Sequence, residues 1–358
     1  MRILFTGGGT LGSVTPLLAL YEYLCDHSES GVLTAAWIGT RHGPEWDLIR
    51  HYKIIQKRIF TGKIRRYISF RNLTDPFFLG LGFLQAIYHV VRFRPKVVIN
   101  AGSYVGVGVV WAAWFVGTPV VLLQLDIRPS LANILTLLHS KKICASCDDA
   151  AKKFPKNKII ITGIPVRKSV IDLANRIRHP DELQRLRARY RIYDTAPAVL
   201  ISGGGTGAEF LNMLARELAQ EGTNKFHIFH ITGKGKEMAM SEDVSMYHQF
   251  SFVDDFASLA ACADIVVTRA GMGTISELAA LEKPMILVPI PASHQVENAL
   301  YCQEKGAAIY LAQEHITAES LRTALATLFR EKDRTRELVK NIRVLFPKNA
   351  AARIAEIL

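Results

Sequence analysis

Short apolar, β-branched runs alternate with helical patterns along most of this chain. They lie at Ile3 to Phe5, Leu33 to Ile38, Val97 to Asn100, Pro119 to Leu123, Lys142 to Ala145 and Lys158 to Thr162. A second series follows at Ala198 to Ser202, Phe226 to Ile231, Gln249 to Phe252, Ile265 to Thr268 and Met285 to Val288. Alternation of this kind predicts an α/β fold with parallel sheets covered by helices. Between the two series, Gly163-Ile164-Pro165 precedes a charged helical stretch from Arg167 to Tyr190, so a hinge is predicted near Gly163 to Arg167.

One pattern occurs twice: an apolar run, Gly-Gly-Gly-Thr, then a helix, first from Ile3 to Tyr23 and again from Val199 to Leu218. A glycine turn between a buried strand and a helix lets backbone N–H groups approach an anion, because no Cβ blocks them and the helix dipole is positive there. Two copies one domain length apart predict two Rossmann-like halves. The stretch Val97 to Leu125 carries no charge and has the length of a membrane span. Gly102, Gly106, Gly108 and Gly117-Thr118-Pro119 divide it instead into a turn, a helix from about Val105 to Val116, and a strand. The chain opens directly on a strand, so no signal peptide is expected ahead of it.

With 358 residues, 49% hydrophobic and 21% charged, the chain has the composition of a globular protein with room for two cores. Its net charge of +12 calls for an anionic partner. Most of that charge is local. Lys53, Lys57, Arg58, Lys63, Arg65, Arg66, Arg71, Arg92, Arg94 and Lys96 face a single acid, Asp75, between His51 and Asn100. Inside this region lies the uncharged run Pro76 to Leu84, with Phe77, Phe78 and Leu81. Basic residues around exposed apolar ones fit an anionic bilayer surface; the same run also reads as the end of a core helix. No nucleic-acid-binding motif is present, and nucleic acid is not an expected partner. The five scattered cysteines suit a reducing compartment, and Cys144-Ala-Ser-Cys147 lacks the second pair or nearby histidines that a metal site needs.

The most specific motif runs from Thr268 to Pro284 and leads from a strand through Gly271-Met272-Gly273 into a helix and on to the next strand. Ligands of open α/β folds bind at that edge. Glu277 suits bidentate hydrogen bonding to the two hydroxyls of a ribose, yet Thr274 to Glu277 also reads as a capping box. Further on, Pro289 to Ala299 forms a polar turn opening a helix, with His294, Gln295 and Asn298 able to bond sugar hydroxyls.

On these residues, together with Gly8-Gly9-Thr10, Pro16, Gly102-Ser103-Tyr104-Val105, Gly163 to Arg167 and Gly203 to Ala208, the chain resembles the MurG-type bacterial glycosyltransferases over nearly its whole length. The resemblance implies a GT-B fold, two facing Rossmann-like domains with an interdomain cleft. Residues 1–164 and a returning C-terminal helix at about 344–358 would handle a membrane-bound acceptor; residues 165–343 would bind UDP-sugar. It implies inverting transfer of N-acetylglucosamine from UDP-N-acetylglucosamine to an undecaprenyl-diphosphate-linked acceptor, without cofactor or metal, at the cytoplasmic membrane face. Carried over position by position, the substrate contacts are Thr10, Leu11, Gly12, Tyr104, Asp126, Arg167, Gly205, Thr206, Val253, Met272, Gly273, Thr274, Ile275, Ser276, Glu277, Gln295 and Asn298. The membrane contacts are Lys63, Arg65, Arg66, Phe77, Phe78 and Leu81.

The chain departs from the family at the base. Where the family has Gly-Gly-His, Leu11-Gly12-Ser13 stands here; Asp126 replaces an asparagine and Gln124 a glutamate. Serine is too weakly basic to replace imidazole near neutrality, so Asp126 is the first candidate for proton acceptance, with Ser13 and His294 behind it. A transferase for another lipid acceptor and a non-catalytic UDP-sugar-binding protein remain open. A dinucleotide-dependent dehydrogenase is disfavoured, since neither glycine turn has the Gly-x-Gly-x-x-Gly spacing with its following acid.

Overall fold

The computed structural model describes residues 1–28, 33–62, 71–204, 208–220, 225–237 and 246–358, with no side-chain description over 71–76. The chain divides into two compact units, Met1–Lys168 with Lys348–Leu358, and Ser169–Pro347. The first unit carries strands β1 (Arg2–Thr6), β2 (Thr34–Gly39), β3 (Ile54–Arg58), β4 (Val97–Asn100), β5 (Val120–Gln124), β6 (Lys142–Ala145) and β7 (Ile159–Ile161). The second carries β8 (Ala198–Ser202), β9 (His227–Ile231), β10 (Tyr247–Phe250), β11 (Ile265–Thr268), β12 (Met285–Leu287) and β13 (Ile309–Tyr310). Every described ladder is parallel, in the orders β3-β2-β1-β4-β5-β6-β7 and β10-β9-β8-β11-β12-β13.

Two strands go beyond the apolar runs of the sequence, and both are edges. Only Ile54 of β3 is buried, so its pattern, Ile-Ile-Gln-Lys-Arg, gives no buried run. β13 is two residues long. The helical stretch expected from Arg167 to Tyr190 is two helices, Lys168–Arg176 and Pro180–Arg189. Proline fits the first turn of the second helix but would remove a donor and clash inside a continuous one.

In the first unit, Leu4, Ala36, Ile38, Val98 and Val120 of the sheet pack against Val105, Val109, Ala112 and Ala113 of the helix Tyr104–Phe115. The charge-free stretch is thus strand, helix, strand; among the described residues no helix is long and apolar enough to cross a membrane. The helix Arg71–Phe93 lies against Tyr104–Phe115 and presents Ala86 and Val90 to the core. Its other face is apolar and exposed: Phe77 is 67% accessible, and Leu84, Tyr88 and Val91 are also open. Phe78, stacked on Phe60 at 5.5 Å, and Leu81 are half-buried. Lys63, Arg65 and Arg66 lie outside the described residues.

In the second unit, Val199, Ile201, Ile228, Val267 and Ile286 of the sheet meet Leu211, Leu214 and Leu218 of Glu209–Gln220 and Leu321 and Leu325 of Ala318–Arg330. Four of the five cysteines are buried and all are free. Burial pushes the Cys144 thiol up to about 12, which keeps it an unreactive thiol.

The last helix, Ala350–Ala355, packs on Thr15–Asp26 of the first unit. Its anchor is Ile354, which is fully buried. Replacing Ile354 by Ala should lower the stability of the full chain by about 3 kcal/mol. Chemical denaturation followed by tryptophan fluorescence checks this; a change within error would mean that the helix docks loosely.

Candidate functional sites at the two sheet edges

In each sheet the chain reverses its direction of growth beside the first strand: β1 lies between β2 and β4, and β8 between β9 and β11. Crossovers leave in opposite directions there, opening a crevice at the C-terminal strand ends. Both glycine turns sit at these points.

In the first unit, Gly7 to Gly9 leave β1 and are braced from β2 and the segment that follows it. Trp37 Nε1 donates to the Gly7 carbonyl at 2.8 Å. Glu45, fully buried, accepts from the Thr40 N–H at 2.7 Å, the Thr40 hydroxyl at 2.6 Å and the Gly9 N–H at 3.1 Å. Gly9 has φ +79°, and a Cβ there would run into the Tyr104 ring. Burial and the charge of Glu45 raise the Tyr104 phenol above its ordinary value. Thr10, Leu11 and Gly12 are exposed on a short 3-10 turn. Ser13 is 8% accessible, and its hydroxyl donates to the Thr10 carbonyl at 3.4 Å, so it closes the turn.

Beside it, Gly102 turns with φ +82°, its N–H donating to Asn100 Oδ1 at 3.1 Å. Asn133 Nδ2 donates to Gln124 Oε1 at 2.5 Å, and Gln124 Nε2 to the Asp126 carbonyl at 2.5 Å. This chain fixes the backbone of Asp126, which is half-buried just past β5. Four atoms at this edge, Thr6 Oγ1, Asn100 Nδ2, Ser103 Oγ and Asn133 Oδ1, are buried without a hydrogen-bond partner among the described residues. Unpaired buried polar atoms are costly, and their clustering marks a site built for polar ligands. Arg167 is half-buried at the end of the unit, beside Lys168, whose N–H donates to Glu22 at 3.0 Å and whose Nζ meets Asp26 at 2.6 Å.

In the second unit, the helix Met272–Ala280 begins one residue after Gly271, its N-cap. Thr274 is therefore inside the helix, and the capping-box reading of Thr274 to Glu277 is not realised. A start at Met272 leaves Thr274 no end-of-helix N–H groups to cap. Glu277 is half-buried one turn further on. Met272, Ile275 and Ser276 are buried, with Ser276 Oγ donating to the Met272 carbonyl at 2.8 Å, so their side chains belong to the packing of the helix. Gly273 and Thr274 are half-buried.

Asn298 is fully buried and its Nδ2 donates to the Ala270 carbonyl at 3.0 Å, so it holds the glycine turn from beneath. Arg269 Nη1 ties the carbonyls of Val288 and Pro289 at 2.9 and 3.1 Å. Burial lowers its pKa below the ordinary arginine value, yet a guanidinium stays charged. Gln295 Oε1 accepts from Ile290 N–H at 3.3 Å, and His294 is exposed at the start of the helix His294–Glu304. Val253 is half-buried after β10. The second glycine turn has Gly204 at φ +85° with its N–H donating to Ser202 Oγ at 3.3 Å. Gly205 and Thr206 lie outside the described residues.

Residues 3–144 match the N-terminal domain of glycosyltransferase family 28, and residues 198–355 match the C-terminal domain of the same family. The chain belongs to glycosyltransferase family 28. A relative from Bacillus thuringiensis (strain Al Hakam), 34% identical over 89% of each chain, is named UDP-N-acetylglucosamine–N-acetylmuramyl-(pentapeptide) pyrophosphoryl-undecaprenol N-acetylglucosamine transferase 3. A relative from Legionella pneumophila (strain Lens) bears the same transferase name without the number and is 34% identical over 99% of this chain and 96% of its own. The crystal structure of Acinetobacter baumannii MurG superposes with a TM-score of 0.75 at 22% identity, covering 99% of this chain and 98% of that one. A UDP-GlcNAc 2-epimerase from Neisseria meningitidis, solved bound to UDP-GlcNAc, superposes at 0.70 with 15% identity, covering 100% of this chain and 99% of that one. Both superpositions show the shared fold.

Sequence reasoning on this family 28 chain missed Glu45 and Arg269 as structural members of the two edges. Arg269 carried a signal, since a charge directly after an apolar strand has to find carbonyls or a ligand. Glu45 had only the Gly43-Pro44 turn before it.

The helix after the second glycine turn is tied to β9 and β10 by His230, whose ring bonds Asn212 at 2.9 Å and Tyr247 at 2.7 Å. Burial lowers the His230 pKa from 6.5 to about 4. The folded state therefore resists a proton that the unfolded chain takes up below 6.5, and stability should fall as pH drops through that window to about 4. Denaturation midpoints at about pH 7 and about pH 5 should show a smaller loss for His230→Gln than for the parent. Equal losses would assign the slope to other groups.

Proposed function

We propose that the chain transfers N-acetylglucosamine from UDP-N-acetylglucosamine to the C4 hydroxyl of undecaprenyl-diphospho-N-acetylmuramoyl-pentapeptide, with inversion at the anomeric carbon. Family 28 membership, with relatives at 34% identity over 89–99% of the chain named for this transfer, carries the reading.

The second unit takes the donor. Glu277 accepts from the ribose hydroxyls, the backbone at Met272 and Gly273 meets the diphosphate at a helix N-terminus, and Gln295 with Asn298 and Val253 shapes the sugar side. In the first unit, Thr10, Leu11, Gly12 and Arg167 are the substrate contacts, and Tyr104 meets the acceptor.

In the reaction the acceptor oxygen bonds to C1 as the bond from C1 to the UDP oxygen breaks. The hydroxyl proton passes to the Asp126 carboxylate. The charge released on UDP is met by helix N–H groups and Arg167. The burial of Ser13 and its bond to Thr10 favour Asp126 over Ser13 in this role. His294, on the donor side, is the next candidate.

The enzyme works peripherally at the cytoplasmic face of the membrane. Phe77, Leu84 and Tyr88, with Trp114 and Phe115 on the neighbouring helix, form an exposed apolar surface in a basic region, and Phe78 and Leu81 lie at its border. Such a surface inserts shallowly into an anionic bilayer, with Lys63, Arg65 and Arg66 adding attraction.

Incubation with labelled UDP-N-acetylglucosamine and a lipid I analogue should yield the disaccharide product. Donor binding without product would favour a non-catalytic relative, and product on a different lipid only would redirect the acceptor assignment. Asp126→Asn should cut turnover by about a hundredfold with donor affinity unchanged; full activity would remove Asp126 from the proton path. Ser at both Phe77 and Leu84 should release the protein from anionic vesicles while sparing turnover of a soluble acceptor. Unchanged cosedimentation would place the membrane contact elsewhere.

A further inference from the structure

We infer that Glu45 is a positioning residue for the acceptor half of the site: its side chain serves as an internal acceptor for the first glycine turn and takes the Gly9 N–H away from any bound diphosphate. This rests on the acceptor reading of the first unit given above. Glycine turns after a first strand ordinarily offer their N–H groups to a ligand anion. Here that place is filled by the protein itself.

Glu45 accepts from Gly9 and twice from Thr40, so all three donors around it are used, and it is fully buried. The surrounding backbone is shaped to admit it. A Cβ on Gly8 or Gly43 would collide with the carboxylate, and a Cβ on Gly39 would come within 3.0 Å of Glu45 Oε1. Trp46, the next residue, locks the loop by donating from Nε1 to the Thr40 carbonyl at 2.8 Å. On the other side of Gly9 lies the Tyr104 ring. The turn is clamped between Glu45 and Tyr104, and this clamp sets where Thr10, Leu11 and Gly12 emerge.

Two consequences follow for substrate recognition. The acceptor phosphates must find donors other than Gly9 N–H. The position of the exposed 10–12 segment depends on a side chain that never touches substrate.

The test uses the full chain carrying Glu45→Gln, with Glu45→Asp beside it. Glutamine cannot accept from both Thr40 and Gly9 through two oxygens, because one terminus becomes a donor facing a donor. Aspartate keeps the charge but is one methylene short of spanning both partners. Amide hydrogen exchange without substrates should quicken about tenfold in the segment containing Gly9 in both variants, while the rest of the first unit keeps its protection. With lipid I analogue, kcat should fall by about a hundredfold. Thr40→Ser, which keeps the hydroxyl, should behave as the parent.

Exchange and kcat both unchanged would overturn the inference. So would a uniform loss of protection across the first unit with parental kcat, which describes a fold brace only. If the parent chain transfers no sugar, the functional reading fails on its own, and the exchange arm still decides whether Glu45 holds the Gly9 amide.

Discussion

The architecture depends on the pairing of one central strand with neighbours on both sides in each sheet. β1 bonds to β2 and β4, and β8 to β9 and β11. Apart from Arg2 at the start of β1, every residue of the two strands is buried, so both read as largely apolar runs. Because the connections on the two sides must be right-handed, their helices fall on opposite faces and part company at the C-terminal end of that strand. The chain then has to turn tightly into a gap that the fold itself cannot fill. Glycine-rich turns and polar side chains on adjacent strand ends line that gap.

The same four residues, Gly-Gly-Gly-Thr, meet this constraint twice by different means. After β1 the turn is held by side chains reaching over from β2 and the segment that follows it: Trp37 to Gly7, Glu45 to Gly9. After β8 the visible part is held locally, by Ser202 accepting from Gly204 and by the approach of Ala208 to Gly203 that leaves no room for a Cβ. A buried carboxylate is tolerable only when its acceptor capacity is used, and the first turn supplies the donors. The second turn carries no comparable buried charge among the described residues. Sequence identity in a loop therefore does not imply an identical electrostatic character, and the two copies suit different tasks.

This difference marks where sequence stops being informative. β4, β5, β8 and β11 are buried on both faces, and their composition announces them. β3 borders solvent along most of its length, so lysine and arginine hide a strand that backbone pairing alone defines. Thr274 and Glu277 satisfy a capping pattern by spacing, yet Gly271 starts the helix earlier, because a local pattern cannot weigh where the preceding turn ends. Asn298 stands in a polar stretch and reads as a ligand contact, and nothing in that stretch announces that its Nδ2 also donates to the Ala270 carbonyl. Glu45 is the extreme case. Its partners Gly9 and Thr40 are distant or unremarkable in sequence, and only the approach of the β2 loop to the end of β1 brings them together.

The bracing of the first turn from behind has a bearing on how this chain can change. In the first unit the frame of the turn and the chemical group at its exit belong to different residues: Glu45, Trp37 and Tyr104 hold the frame, and position 13 only caps a short 3-10 segment through Ser13. The side chain at position 13 takes no part in the Trp37, Glu45 and Tyr104 contacts that hold the loop. Chemistry at the exit and stability of the frame are thus set by separate positions of the chain.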